Sequence, residues 1–275
     1  PGDWQGLYFK QGSTGDFDHV HLSYAGYGGS GYGNFVGIEN DGGNLEIKNS
    51  KIFDNHRIVS NGAGGFITTG SGVWNKSGNL LIENSLIENS LVGVRGDSGN
   101  ISVSGTKIQK NVDSTGQGSG YGIYVNNIDS LTLLNNTFTQ NKKTAFVGLP
   151  KIFLHSGNTS TDETSRGFEV SGILSGETNF PGGDLPYIVG QININTSGKL
   201  AVEAGAILKM DDRFASGAIH VSGGGLEFRG TPENKIHITS LKDDGVGGDT
   251  NGDGGLTLPA PKNWSSIFLE NGSNT

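Results

Sequence analysis

The sequence predicts an all-β chain wound as a solenoid, the parallel β-helix, and three observations carry that expectation. Four segments align with one another: NLEIKNSKIFDN from Asn44, NLLIENSLIENS from Asn79, NISVSGTKIQKN from Asn100, and SLTLLNNTFTQN from Ser130. Within each, apolar residues recur with period two, the spacing of a strand, and not at the three- and four-residue spacing of a helix. Glycine is abundant, at 48 residues, while hydrophobic residues make up only 33%. A repetitive fold with a narrow core accommodates that composition, whereas disorder would lack the regular β-branched runs.

Each repeat reads as a small polar residue, an apolar–x–apolar strand, a polar pair and one more large apolar residue. The intervals between repeats are 35, 21 and 30 residues, as expected if turns bulge outward by different amounts. One repeat cannot bury its own inward residues, so successive turns must stack. Stacking at about 4.8 Å places Leu45 and Ile47 beside Leu80 and Ile82, then Ile101 and Val103, then Leu131 and Leu133. Glycine-led pieces precede three of the repeats: GIEN at Gly37, GVRG at Gly93 and GIYV at Gly122. The polar pairs at 49–50, 84–85, 105–106 and 136–137 fall where the chain bends, and asparagine there tolerates the left-handed conformation and can bond to the neighbouring turn.

The repeats of the NxxIxNSxI type occupy residues 1–150. Residues 151–185 read as an irregular seam, and alternating strands resume over 186–275 with an Asp/Gly-rich loop. The whole reads as one continuous solenoid of about ten coils, roughly 50 Å long at one strand spacing per coil. The two ends also match: in PGDWQGLYFKQGST and PAPKNWSSIFLENGSN, Trp4 corresponds to Trp264, Leu7 to Ile267, Phe9 to Leu269 and Gly12–Ser13 to Gly272–Ser273. With no leader and Pro1 first, the chain reads as a fragment of a longer array, its ends covered by adjacent segments or by copies of itself.

The run from GKLAVEAGAILKM through the acidic loop to NWSSIFLENGS, together with PGDWQGLYFKQGSTGDFDHVHLSYAGYGG, resembles the right-handed parallel β-helix segments of large bacterial cell-surface and secreted proteins of the adhesin or surface-layer type. The resemblance implies a right-handed coil, secretion to the cell surface or the extracellular space, and often calcium. It does not imply one function, since lyases, tailspikes and adhesins share the architecture.

Composition excludes several functions. Net charge is −8, so nucleic acid is not an expected partner. No apolar run is long enough to span a membrane. The absence of cysteine excludes disulfides, thiolate metal sites and cysteine nucleophiles. No local catalytic motif is present, and no catalytic residue is assigned.

The strongest chemical signal is KDDGVGGDTNGDGG, Lys242 to Gly255, with four aspartates and six glycines in fourteen residues. Asp249, Asn251 and Asp253 stand at alternate positions with Gly254 at the sharp turn, as in an oxygen-ligand calcium loop. Position 12 is Ala260, so this is no EF-hand, and Asp243 and Asp244 are the candidates to complete the shell. The competing reading is a solvated Asp/Gly turn. His19 and His21 fall on one face if both lie in a strand, but no third ligand accompanies them. Tyr24, Tyr27, Tyr32 and Phe35 stand among glycines in YAGYGGSGYGNF, and their rings would suit contact with a polysaccharide or the cover of a solenoid flank. Two functions follow: a non-catalytic structural or adhesive module, such as a stalk, surface layer or filament, with a structural calcium ion; or a carbohydrate-active lyase, glycosidase or binding module.

Overall fold

A computed structural model describes residues 3–26, 35–60, 66–112, 120–212, 218–270 and 272–273, with the backbone alone for 57–60 and 66–69. Among the described residues there are 27 strands and no helix, and every strand pairing but one is parallel. The exception is an antiparallel hairpin, Arg57–Ser60 with Phe66–Thr69, that leaves the coil stack.

Three faces build the first six coils. The first face stacks Leu7–Lys10 on the start of Val36–Lys48, then Ser71–Glu83, Val92–Gly96, Tyr121–Asn126 and Lys143–Gly148. The second face carries the four sequence repeats, in the register their alignment dictates: Leu45 and Ile47 on Leu80 and Ile82, then Ile101 and Val103, then Leu131 and Leu133. All eight are buried. The third face is a column of short strands with Leu22, Ile52, Ile87, Ile108, Phe138 and Ser160 in line.

The glycines that lead the first-face strands have a steric cause. A Cβ on Gly37 would stand 2.6 Å from the Gly72 carbonyl oxygen, one on Gly72 2.8 Å from that of Gly93, and one on Gly93 2.6 Å from that of Gly122. Any side chain would wedge the coils apart at this corner.

The other two corners are held by ladders of buried side-chain-to-backbone hydrogen bonds. At the corner between the second and third faces, the N–H of Val20 donates to Ser50 Oγ (2.9 Å), Ser50 to Ser85 (3.1 Å), Ser85 to Thr106 (3.3 Å), Thr106 to Asn136 (3.0 Å) and Asn136 to Asn158 (3.1 Å). Asn158 N–H then donates to the Asp184 carboxylate. At the next corner Ala25 donates to Asn55, Ser90 to Asn111, Asn111 to Asn141 and Asn141 to Asp162, all within 3.0 Å. The residue before each serine, threonine or asparagine acceptor turns the chain with positive φ: Asn49, Asn84, Gly105, Asn135 and Gly157 at one corner, Asp54, Lys110 and Gln140 at the other. On the fourth repeat the working pair is therefore Asn135–Asn136, one residue earlier than 136–137, because Asn135 takes the left-handed turn and Asn136 faces inward to bond.

Both ladders end on an aspartate, and there the cross-section changes. The third face stops at Thr159–Thr161. Residues 151–185 hold the strands Ile152–Ser156, Thr159–Thr161, Ser165–Leu174 and Glu177–Phe180. Beyond them a new column begins, in which Gly172–Leu174 pairs with Ile192–Ile194, then Ile219–Val221, then Ile267–Leu269. A separate sheet stacks Glu177–Phe180, Lys199–Glu203 and Gly225–Arg229. Inside the junction His155 bridges Asp184 (2.9 Å) and the Tyr187 hydroxyl (2.7 Å), and Tyr187 lies flat against Phe180 at 4.3 Å.

Two outcomes test this account. Asn136→Leu removes the acceptor for Thr106 N–H and the donors to Val103 O and Asn158 Oδ1, so denaturant melts should show a loss of roughly 3 kcal/mol or more; a loss below half a kcal/mol would sink the ladder argument. Burial raises the Asp162 carboxyl above its ordinary value of 3.8, against the opposing bonds from Asn141, Thr144 and Ser160. The folded chain thus holds this proton more tightly than the unfolded one. Its stabilising contribution is complete below 3.8 and fades as pH rises through the higher folded value. Relative to Asp162→Asn, the wild type should gain stability on acidification from pH 7 toward 4, read from melts of both proteins.

Candidate functional site

The acidic loop lies between His237–Ser240 and Ile267–Leu269, and it does not hang free. Arg166, 83 residues away in sequence, donates its backbone N–H to Thr250 O (2.8 Å) and its guanidinium Nη1 to Asp249 Oδ2 (2.8 Å) and Asp249 O (3.3 Å). Lys209, fully buried on its strand Ile207–Met210, donates Nζ to the carbonyls of Asp243 (2.8 Å) and Gly248 (2.5 Å). Thr250 is buried. The loop is thus fastened by two cations and reaches back to the corner where the third face ended.

Of the four expected carboxylate ligands, the fold brings three together. Carboxylate oxygens of Asp244, Asp249 and Asp253 lie within 4.8 Å of one another. Asp243 is engaged elsewhere: it accepts from Thr239 Oγ1 (2.6 Å) and Gly245 N–H (3.0 Å), closing a turn. Asn251 is turned inward on the loop, donating to Asp253 Oδ2 (2.9 Å) and Thr257 Oγ1 (3.2 Å). Asp253 is held below the ordinary carboxylate value, first by the Thr257 hydroxyl and then by the N–H groups of Gly255 and Leu256. Asp244 is pushed the other way, first by desolvation and then by the charges of Asp249 and Asp253, with Lys209 opposing. Its Oδ1 is shut off from solvent and has no hydrogen-bond partner.

A second group of polar side chains lies on the outer surface of the first face, and the sequence did not single it out. Tyr121 hydroxyl donates to Glu169 Oε2 (2.9 Å), and Lys143 Nζ stands 3.0 Å from Glu169 Oε1 and 3.3 Å from the Tyr121 hydroxyl. With Phe146, Ser171 and Asp211 they line a shallow depression of about 270 Å³. Along the same face the Arg95 guanidinium covers the Trp74 ring at 4.4 Å, and Tyr124 and Phe146 stack at 4.8 Å with their planes 16° apart. These aromatic faces are already occupied by their neighbours on adjacent coils.

A scan against protein families matches residues 2–165 to the family described as right-handed β-helix region. The chain belongs to the right-handed β-helix family. No curated protein and no solved structure matches it. The matched span ends where the third face of this β-helix ends, so the family pattern follows the three-faced coils.

The remaining expected residues are described only in part. Tyr27 and Tyr32 lie outside the described residues. Tyr24 is 44% exposed, has φ of 60° and sets its ring against Phe53 at 6.2 Å, whereas half-buried Phe35 gives its carbonyl to Ser71 N–H. His19 sits in a left-handed turn against Asp18, and His21 packs its ring edge on Phe53, so the two do not form a strand-borne pair. No described helix is long and apolar enough to cross a membrane.

Arg166 and Lys209 had no sequence signal, because each reads as an ordinary surface cation until the loop folds over it. Lys209→Met strands the Asp243 and Gly248 carbonyls. It should open the loop, seen as faster amide hydrogen exchange over 243–255 with the exchange of the repeat strands unchanged; equal exchange in both proteins would show that the clamp holds nothing.

Proposed function

We propose that this right-handed β-helix is a non-catalytic structural or adhesive module of an extracellular or cell-surface protein, with a calcium ion held by Asp244, Asp249 and Asp253. The observation that carries the reading is the state of the outer surface. Among the described residues of the first face, aromatic rings and charges pair from coil to coil, as in Trp74 with Arg95, Tyr124 with Phe146 and Lys143 with Glu169. Such pairing favours a rigid rod over an open catalytic groove. The acidic balance and solenoid repetition suit the same role.

Calcium is supported by donor chemistry. A hard cation takes carboxylate oxygens, and here three converge beside a buried Asp244 oxygen that nothing else satisfies. Arg166 and Lys209 offset part of the charge of Asp243, Asp244, Asp249 and Asp253, leaving a negative balance. The ion would bind oxygen atoms of the loop and stiffen it against the coils. Millimolar calcium should raise the melting temperature by a few degrees, on the order of the linkage expected when ligand exceeds Kd about 100-fold. Chelator should reverse the rise, and Asp244→Asn with Asp253→Asn should abolish it. An unchanged melt would remove calcium from the account.

One observation favours a carbohydrate-active reading. The depression on the first face holds two carboxylates, Glu169 and Asp211, with Lys143 and Tyr121, the side-chain types of polysaccharide cleavage. Incubation with acidic and neutral polysaccharides, with and without calcium, separates the two. The module reading expects no new reducing ends or unsaturated products. Release that is lost in Glu169→Gln would replace that reading with an enzyme.

A further inference from the structure

The outer surface of the second face carries a line of polar side chains separate from the corner ladders. Among the described residues, Asn79 Nδ2 donates to Asn44 Oδ1 (2.7 Å), Asn100 Nδ2 to Asn79 Oδ1 (2.9 Å) and Ser130 Oγ to Asn100 Oδ1 (2.7 Å). These four residues open the four sequence repeats. The three asparagines are exposed, and their amides satisfy no buried backbone group, unlike those of Asn136 and Asn141. An asparagine amide has two N–H donors. Asn79 and Asn100 therefore each keep one N–H unspent, and Asn44 keeps both. Two residues further along each strand runs a second line, Glu46, Leu81, Ser102 and Thr132, in register from coil to coil. Between the two lines lies a groove of about 360 Å³. It crosses four coils and so follows the solenoid axis.

The groove lies in the middle of the stack. Thr14–Asp18 pairs with the strand beneath it and Ile152–Ser156 with the strand above, so its side chains face outward from covered coils. The upper coil continues both lines with aliphatic side chains. Ile152 is in register with Ser130 and Leu154 with Thr132, and they are 54% and 53% exposed. The track thus passes from amide and hydroxyl groups onto two bare aliphatic side chains. Glu46 is the one charged side chain among the described residues lining the groove, and Lys48 pairs with it.

We infer that this groove binds a neutral polysaccharide lying along the solenoid axis. The inference deepens the adhesive-module reading and rests on it. Sugar hydroxyls both donate and accept, and the unspent N–H groups of Asn44, Asn79 and Asn100, with the hydroxyls of Ser102 and Thr132, offer both partners. These groups recur at the coil spacing of about 4.8 Å, which suits a ligand that is itself a repeat of similar units. Leu81, Ile152 and Leu154 supply apolar area for the C–H faces of the rings. An anionic polymer would find no unpaired cation here and would meet Glu46. A peptide would find no backbone edge, because Ser71–Glu83, Asn100–Ser104 and Ser130–Leu134 are paired on both sides. The groove lacks two carboxylates facing each other, so it binds without cleaving.

The test uses the whole chain and affinity electrophoresis through gels containing dextran, mannan, xylan, alginate or polygalacturonate. At least one neutral polymer should retard the wild type, and neither acidic polymer should. Asn79→Ala with Asn100→Ala should weaken that retardation about tenfold or more, as the loss of two hydrogen bonds predicts, and Leu154→Asp should weaken it as well. Melts of both variants should match the wild type, because the altered side chains are exposed. No retardation by any of the three neutral polymers would overturn the inference. So would retardation that both variants retain, which would place the sugar elsewhere, or stronger retardation by the acidic polymers. Turnover that is lost in Glu169→Gln would remove the module reading instead, and that variant leaves the groove intact.

Discussion

The constraint on which the rest of this structure depends is the satisfaction of buried backbone groups where the chain turns. Between coils, strand pairing takes care of N–H and C=O groups along the faces. At the corners the chain leaves strand geometry, and an unpaired amide there would carry a cost of about 1–3 kcal/mol. Serine, threonine and asparagine side chains from the coil above supply the missing acceptors, from Ser50 to Asn158 at one corner and from Asn55 to Asn141 at the other. Asparagine is the more capable member, because its NH₂ also returns a bond to a strand carbonyl, as Asn136 does to Val103 and Asn141 to Ile108.

The ladders stop at two aspartates. Asp184 receives the last N–H of one ladder and Asp162 that of the other, and the Asp162 N–H turns back to Ser160 Oγ within its own coil. The third face ends at that level and the chain cuts from the second face to the first. The corner left there is taken by the acidic loop, drawn in by Arg166 and Lys209. Ladder ends, loss of a face and the docking of the acidic loop therefore fall at one level of the solenoid.

Much of this was legible in the sequence. The period-two pattern and four aligned repeats dictated the second-face register residue by residue, since a slip of one would turn every inward leucine and isoleucine outward. The Gly–Ser turn common to the two matched segments was legible too, at Gly12–Ser13 and Gly272–Ser273. The fourth polar pair was misplaced by one residue because Asn135, Asn136 and Thr137 are alike in composition, and only the backbone angle and the inward bond separate them. Spacing in the acidic loop did not show which of its carboxylates the fold brings together: Asp244, Asp249 and Asp253 meet, while Asp243 closes a turn with Thr239 and Gly245.

By itself, then, the sequence determined the local periodicity, the inward residues, the corner residues and the acidic composition of the loop. These are properties of short segments, set by strand geometry and turn chemistry. The tertiary structure alone decided which coil follows which beyond residue 165, how Arg166 meets Asp249 across 83 residues, why Lys209 is buried, and where the third face gives way to the acidic loop. Those features depend on the angular position each coil reaches after variable turns, and no local pattern encodes an angle accumulated over the whole chain.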